Sequence, residues 1–369
     1  MFATHRPIFS RVAFRHGAYC PRLVRWAASG AVACVVAAAV VLPARAQDDV
    51  AKFYAGKNVD LYIGSTAGGG YDSYARLVAR HLGAHIPGHP TIVPINMPGA
   101  GSNKLAYYIY AVAPKDGTAM GAIFPGAVME PLIGDKPVKH DPQKFNYVGS
   151  ANNETNVCIA RSDAPVKTFK DVLTHELRIA SSASGGSTRD YPAVLDNVLG
   201  AKFRLVMGYP GSRQMMLALE QGEVQGMCGI AESSLAEAEP DWLPSGKMIV
   251  LAQEALKGDP ALTAKGVPLT LDFAKSDEQK QLLDVLYSQQ VFGRPYVLPP
   301  GVPADRVAAL RKAFMATMQD PALRADAKRV RLAIDPISGA DVQALVTKVY
   351  ATPKPVIKKL KQAMIYKSS

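Results

Sequence analysis

Repetition of one unit constrains this chain most: a short apolar strand, a loop of Gly, Ser, Thr and Asn, and then a helix. The run Val59–Ile63 reads as a strand, leads through Gly64, Ser65, Thr66, Ala67, Gly68, Gly69 and Gly70, and opens a helix. In that helix Tyr74, Leu77, Val78 and Leu82 hold one apolar face until Gly83. Thr91–Ile95 repeats the pattern through Asn96–Ser102 into a helix carrying Leu105, Tyr108, Ile109 and Val112. A turn at Pro114–Gly117 then precedes a third strand, Thr118–Phe124, and a looping stretch rich in Pro and Gly. Alternating units of this kind specify an α/β fold with parallel strands and crossover helices.

The pattern resumes from Tyr147–Ser150, where the chain is expected to cross into a second domain. Strands are expected at Asn156–Ala160, Arg178–Ser181, Phe203–Met207, Val224–Met227 and Met248–Leu251. Between them lie a helix over Thr168–Leu173 with Thr168 and Asp171 spaced as a capping box, a helix ending at Leu199 before Gly200, and a helix running through Glu220 to Gly222. The chain is expected to return to the first domain near Val291, with Leu298–Pro303 turning into one long helix, Ala304–Met318. The domains are thus 47–148, 149–290 and a return segment 291–369.

The N-terminus reads as an export signal over 1–46. A basic region is followed by the 16-residue apolar run Ala27–Leu42, short for a membrane span, and by Ala44, Arg45 and Ala46 ahead of a cleavage point at Gln47. The segment holds six of the 42 basic residues and none of the 31 acidic ones, leaving 36 against 31 and a surplus of only five in the mature 323 residues. No Arg-rich or aromatic-interleaved stripe remains, so nucleic-acid binding is not expected, and the location implied is the periplasm. Cys158 and Cys228 are the mature chain's cysteines. They suit one disulfide in an oxidising compartment or two buried thiols, and the sequence does not choose.

Chemically, the glycine-rich loops point to an anion. Without side chains in the way, the N–H groups at a helix start close on a negative ligand and the helix dipole adds about 0.3–1 kcal/mol per favourable charge. Gly68, Gly69 and Gly70 do not fit a dinucleotide fingerprint, and Ala100–Lys104 lacks the end of a phosphate loop. No nucleophile elbow or H-E-x-x-H motif occurs. His81, His85 and His89 are spaced as zinc ligands on a helix, but Gly83, Pro87 and Gly88 break that helix. No catalytic residue, metal or cofactor is assigned. The C-terminal lysines, Lys348 to Lys367, read as a solvated face or a contact with a membrane partner.

With these loops identified, the chain resembles the periplasmic substrate-binding proteins of tripartite tricarboxylate transporters, the Bug family. Ala67, Gly68, Gly69, Gly70, Tyr71 and Asp72 are similar to that family's A-G-G-G-x-D. Asn96, Met97, Pro98, Gly99, Ala100 and Gly101 are similar to its N-x-P-G-A-G. Ala113, Pro114, Asp116 and Gly117 match its A-P-D-G turn with Lys115 inserted, and Gly185–Thr188 and Tyr209 with Gly211 and Ser212 add further matches. The resemblance implies a two-domain α/β fold of the periplasmic-binding-protein kind, type II-like, with two crossing strands and a ligand cleft between the domains.

It also implies a small carboxylate as ligand, held by Ser65, Thr66, Ala67, Gly68, Gly69 and Gly70 of the first loop. Gly99, Ala100, Gly101 and Ser102 of the second loop are expected to share that task. In the second domain the candidates are Ser184, Gly186, Ser187 and Thr188, with Tyr209, Gly211 and Ser212. Asp72 is expected to cap its helix. Arg189 and Arg213 follow the two second-domain loops, where each either grips a second carboxylate of a dicarboxylate or is a solvated helix charge. The chain departs from the family at Met227, Cys228 and Gly229, and at Ser288, Gln289 and Gln290, expected on the returning strand. The function expected is capture of a carboxylate by a monomer that can hand it to membrane transporter subunits. A secreted hydrolase or transferase acting on a small anionic substrate is the alternative.

Overall fold

The computed structural model describes residues 48–134 and 137–366. The expected signal at 1–46 lies outside them. Among the described residues no helix is long and apolar enough to cross a membrane.

Two sheets organise the chain. The first has the order β11-β4-β10-β3-β1-β2, with β1 Asn58–Ile63, β2 Thr91–Asn96, β3 Ala119–Ala122, β4 Asn146–Ser150, β10 Pro295–Leu298 and β11 Ile337–Ser338. The second has the order β7-β6-β8-β5-β9, with β5 Asn156–Arg161, β6 Leu177–Ser181, β7 Phe203–Met207, β8 Gly226–Ala231 and β9 Met248–Glu254. The chain passes from the first sheet to the second over 151–155 and comes back through the helix Asp277–Ser288 and the 3-10 turn Gln289–Phe292.

The expected strand-loop-helix units are present, but the sheets are mixed rather than wholly parallel. β1 pairs in parallel with β2 and β3, and β6 with β7 and β8. β10 runs antiparallel between β3 and β4, and β5 antiparallel between β8 and β9. β10, on the return to the first sheet, and β5, the first strand of the second sheet, are each inserted between two other strands, pairings set by long-range register and not by local periodicity. The Pro- and Gly-rich stretch after β3, expected as a loop, begins with the helix Pro125–Ile133; proline at its first position fits, because that N–H has no helical partner to lose. Ser288, Gln289 and Gln290 end a helix and form a 3-10 turn, not a strand. The strand expected at Val224–Met227 lies two residues later, across the buried run Gly226–Ala231.

Other local readings hold. Thr168 and Asp171 form the reciprocal capping box, and Gly200 ends its helix in the left-handed region at φ 77°. The cores are apolar and fully buried, with Leu61, Ile63, Leu77, Val78 and Phe314 under the first sheet and Val157, Ile159, Leu219 and Met227 under the second. Cys158 of β5 and Cys228 of β8 form a disulfide that ties residues 70 positions apart.

Candidate functional site

A cavity of about 110 Å³ lies where loops of the two sheets meet. From the first sheet come Ser65, Thr66, Gly69, Gly70 and Tyr71 after β1, and Phe124–Gly126 after β3. The second sheet supplies Ser182 and Gly185–Thr188 after β6, Gly211 and Ser212 after β7, and Gly229–Ala231 of β8. The connecting segments contribute Glu154, Asn156, Gln289, Gln290 and Arg294.

Four helices start at this cavity: Gly70–Leu82, Pro125–Ile133, Ser187–Leu199 and Ser212–Glu220. Their N-cap residues are Gly69, Phe124, Gly186 and Gly211, and none supplies a side-chain cap. Five helices elsewhere are capped by side chains, at Thr168, Asp259, Ser276, Asp320 and Ser338, while those that start after Ser102, Pro303 and Pro353 are not. A helix start leaves N–H groups needing acceptors, and glycine at the cap keeps those groups accessible to a ligand. The result is a cavity edged by several partial positive charges.

The first loop is held in shape by its own motif residues. Asp72 is buried; its Oδ2 accepts from the Gly68 N–H at 2.9 Å, and its carboxylate accepts from Arg76 Nε at 3.0 Å and Asn96 Nδ2 at 2.8 Å. Asn96 also donates to the Ser65 carbonyl at 3.0 Å. Burial opposes ionisation of Asp72, but these donors outweigh it and hold its pKa below the usual carboxylate value. Asp72 therefore braces the loop, and Asn96 joins the two glycine-rich motifs.

Of the sequence candidates, Ser65, Thr66, Gly69, Gly70, Gly186, Ser187, Thr188, Gly211 and Ser212 line the cavity. Ala67 and Gly68 are exposed at its edge and do not line it. Gly99, Ala100, Gly101 and Ser102 do not line it either. Their backbones all take positive φ, winding a tight turn in which Gly101 stacks on the Ser184–Gly185 backbone. Ser184 is thus engaged by that turn outside the lining. Tyr209 is half-buried, with its hydroxyl on Glu223 at 3.3 Å.

The arginines fall apart from the expectation. Arg189 is buried and its Nη1 pairs with Asp190 Oδ1 at 3.0 Å, so it is neither a solvated charge nor a cavity wall. Arg213 is exposed and also outside the lining. The histidines separate: His85 meets Asp320 at 2.8 Å, His81 lies 3.3 Å from Asp326, and His89 turns to the Ala84 carbonyl.

The cation that does line the cavity is Arg294, which the sequence reading missed. It is 2% exposed, and its Nη2 lies 3.0 Å from Oε1 of the equally buried Glu154. It also donates to Ser234 Oγ at 2.9 Å and sits over the rings of Tyr71 and Tyr74, 4.2 and 4.7 Å from their centroids. Glu154 accepts further from Ser233 at 2.7 Å and Asn152 at 3.0 Å. The signal available in sequence was slight: an arginine between Gly293 and Pro295 just before an apolar strand, 140 positions from its partner.

Behind this wall Glu254 is fully buried, accepting from the Gly229 N–H at 2.5 Å. Burial pushes its pKa up to about 8, with the Gly229 bond opposing. Below the unfolded carboxyl value of 4.5 both states hold the proton. Between 4.5 and about 8 only the folded chain does, so stability from this group is lost as pH rises through that window. Glu254→Gln should flatten the fall in urea-denaturation stability between pH 5 and 8; an unchanged slope would contradict the assignment.

No protein-family model and no curated protein matches the chain. Solved structures do. The periplasmic binding protein BugD is similar with a TM-score of 0.65 and 21% identity, over 84% of this chain and 98% of that one. MatC from Rhodopseudomonas palustris, with bound malate, gives 0.63 and 20% identity over 84% and 99%. A second R. palustris protein, with adipate, gives 0.64 and 22% identity over 83% and 97%. The two-sheet architecture described above, over most of its length, is the fold of these proteins, among them the periplasmic binding protein BugD.

Proposed function

We propose that the mature chain is a periplasmic solute-binding protein that captures a small carboxylate between its two sheets and delivers it to a tripartite tricarboxylate-type transporter. In this reading 1–46 is the export signal. One lobe is 47–148 with 291–369, the other 149–290, and the protein works as a monomer.

The observation that carries the reading is the meeting of four helix starts without side-chain caps at one cavity. A carboxylate satisfies those N–H groups together. At about 1.5–3 kcal/mol for each charge-assisted bond, a few of them offset the ordering cost and reach the roughly 8 kcal/mol of a micromolar complex. Size agrees as well. A cavity of about 110 Å³ is of a size for a small organic acid and not for a polymer. Malate and adipate in the structural relatives are acids of this class.

Thermal-shift screening of the mature chain against mono- and dicarboxylates tests the proposal, since a ligand at about 100 times its Kd stabilises by about 2.7 kcal/mol. Gly69→Val is the matching variant. A Cβ there meets Ser212 Oγ at an ordinary 3.4 Å, so the fold accepts it, while the branches enter the cavity. The expected result is a stabilising acid for the wild type and an affinity at least tenfold weaker in Gly69→Val. No stabilisation by any carboxylate would overturn the function.

A further inference from the structure

The cavity lining includes a residue with a polar atom that no other group among the described residues satisfies. Gln290 is 5% exposed and lines the cavity, and its Oε1 is buried without a hydrogen-bond partner. Its orientation is fixed from behind. Nε2 donates to the Glu254 carbonyl and to the Tyr191 hydroxyl. Rotating the amide would set oxygen against the Glu254 carbonyl, so the oxygen stays the open end.

The charged neighbours do not relieve it. Glu154 and Arg294 are paired with each other, and Glu154 is an acceptor like Gln290. A buried acceptor left unmade costs about 1–3 kcal/mol, and a ligand with an N–H or O–H at this point removes that cost.

We propose that Gln290 is a specificity-determining residue that accepts a hydrogen bond from a donor group on the ligand, so that the preferred ligands are small carboxylates bearing a hydroxyl or amino group rather than their unsubstituted counterparts. The inference rests on the carboxylate reading above and deepens it. One end of the ligand is the anion held by helix starts, and the other is selected by an acceptor in a wall where the buried charges already cancel. A site built to hydrogen-bond a donor discriminates against the analogue that lacks it, because its own polar group is then left unpaired.

Calorimetry on the mature wild-type protein with matched acids tests this: succinate against malate and aspartate, and propionate against lactate and alanine. Malate and lactate report a hydroxyl donor, aspartate and alanine an ammonium. At least one substituted acid should bind tenfold or more tightly than its unsubstituted partner. In Gln290→Leu that ratio should fall to about threefold or less, whatever the change in absolute affinity, because the acceptor that separates the two acids is gone. Gln290→Met repeats the comparison with an unbranched side chain in case the leucine variant folds poorly. Equal binding within every wild-type set, or a ratio that survives in a folded variant, would overturn the role of Gln290 and leave the carboxylate reading standing. Binding of no carboxylate would overturn that reading and this inference with it.

Discussion

Arg294→Leu should lower the stability of the mature chain by about 3–5 kcal/mol, the cost of leaving a buried carboxylate without its partner. The motive is geometric. Arg294 and Glu154 are 2% and 6% exposed and 3.0 Å apart, with Ser233, Ser234 and Asn152 completing the network. The pair also joins the segment leaving the first sheet to the segment coming back, so its loss should loosen both cavity walls. Urea denaturation measures it. Glu154→Gln keeps an acceptor for Arg294 and should cost less, and the double variant Arg294→Leu with Glu154→Leu should recover part of the loss, because no charge is then stranded. A change below about 1 kcal/mol in Arg294→Leu would show that water reaches the pair and screens it.

Gly126→Ala should weaken carboxylate binding ten- to a hundredfold, the loss of one or two charge-assisted bonds. Glycine is required here by close approach: a Cβ at 126 would stand 2.0 Å from the Gly185 carbonyl oxygen and 3.0 Å from its carbon. Both are backbone atoms, so no side chain can swing aside, and the whole loop ahead of the helix Ser187–Leu199 must retreat. That retreat withdraws Gly186 and Ser187 from the cavity. Calorimetry with the best acid from the screen gives the affinity, and circular dichroism confirms the fold. Wild-type affinity in a folded Gly126→Ala would mean that this helix start contributes nothing to the ligand.

The motifs at Gly68–Asp72 and Asn96–Gly101 show how far local sequence reached. Glycine before a helix was readable as an accessible helix start, from the chemistry of a few consecutive residues, whereas Asp72, expected to cap the helix, instead braces the loop through the Gly68 N–H and Asn96. The fate of Gly99–Ser102 was not readable in that way. Its positive φ angles turn the stretch onto Ser184–Gly185 instead of into the cavity, and that outcome depends on a loop more than 80 positions away.

Sequence by itself determined the strand-loop-helix units that follow β1, β2, β6 and β7, though not the helix Pro125–Ile133 or the strand β10, together with the capping box at Thr168, the helix end at Gly200 and the presence of glycine-led helix starts. These follow from propensity, caps and apolar spacing, which act within one or two turns of chain. Tertiary structure decided the rest: the antiparallel insertion of β10 and β5, the pairing of Cys158 with Cys228, the burial of Arg189 against Asp190, and the meeting of Arg294 with Glu154 beside Gln290. Each of the long-range pairings joins residues 66 or more positions apart. Their energies come from desolvation and register across distant segments, and Arg189 shows the same rule at short range, since its charge is buried by what packs over the helix and not by the neighbour it pairs with.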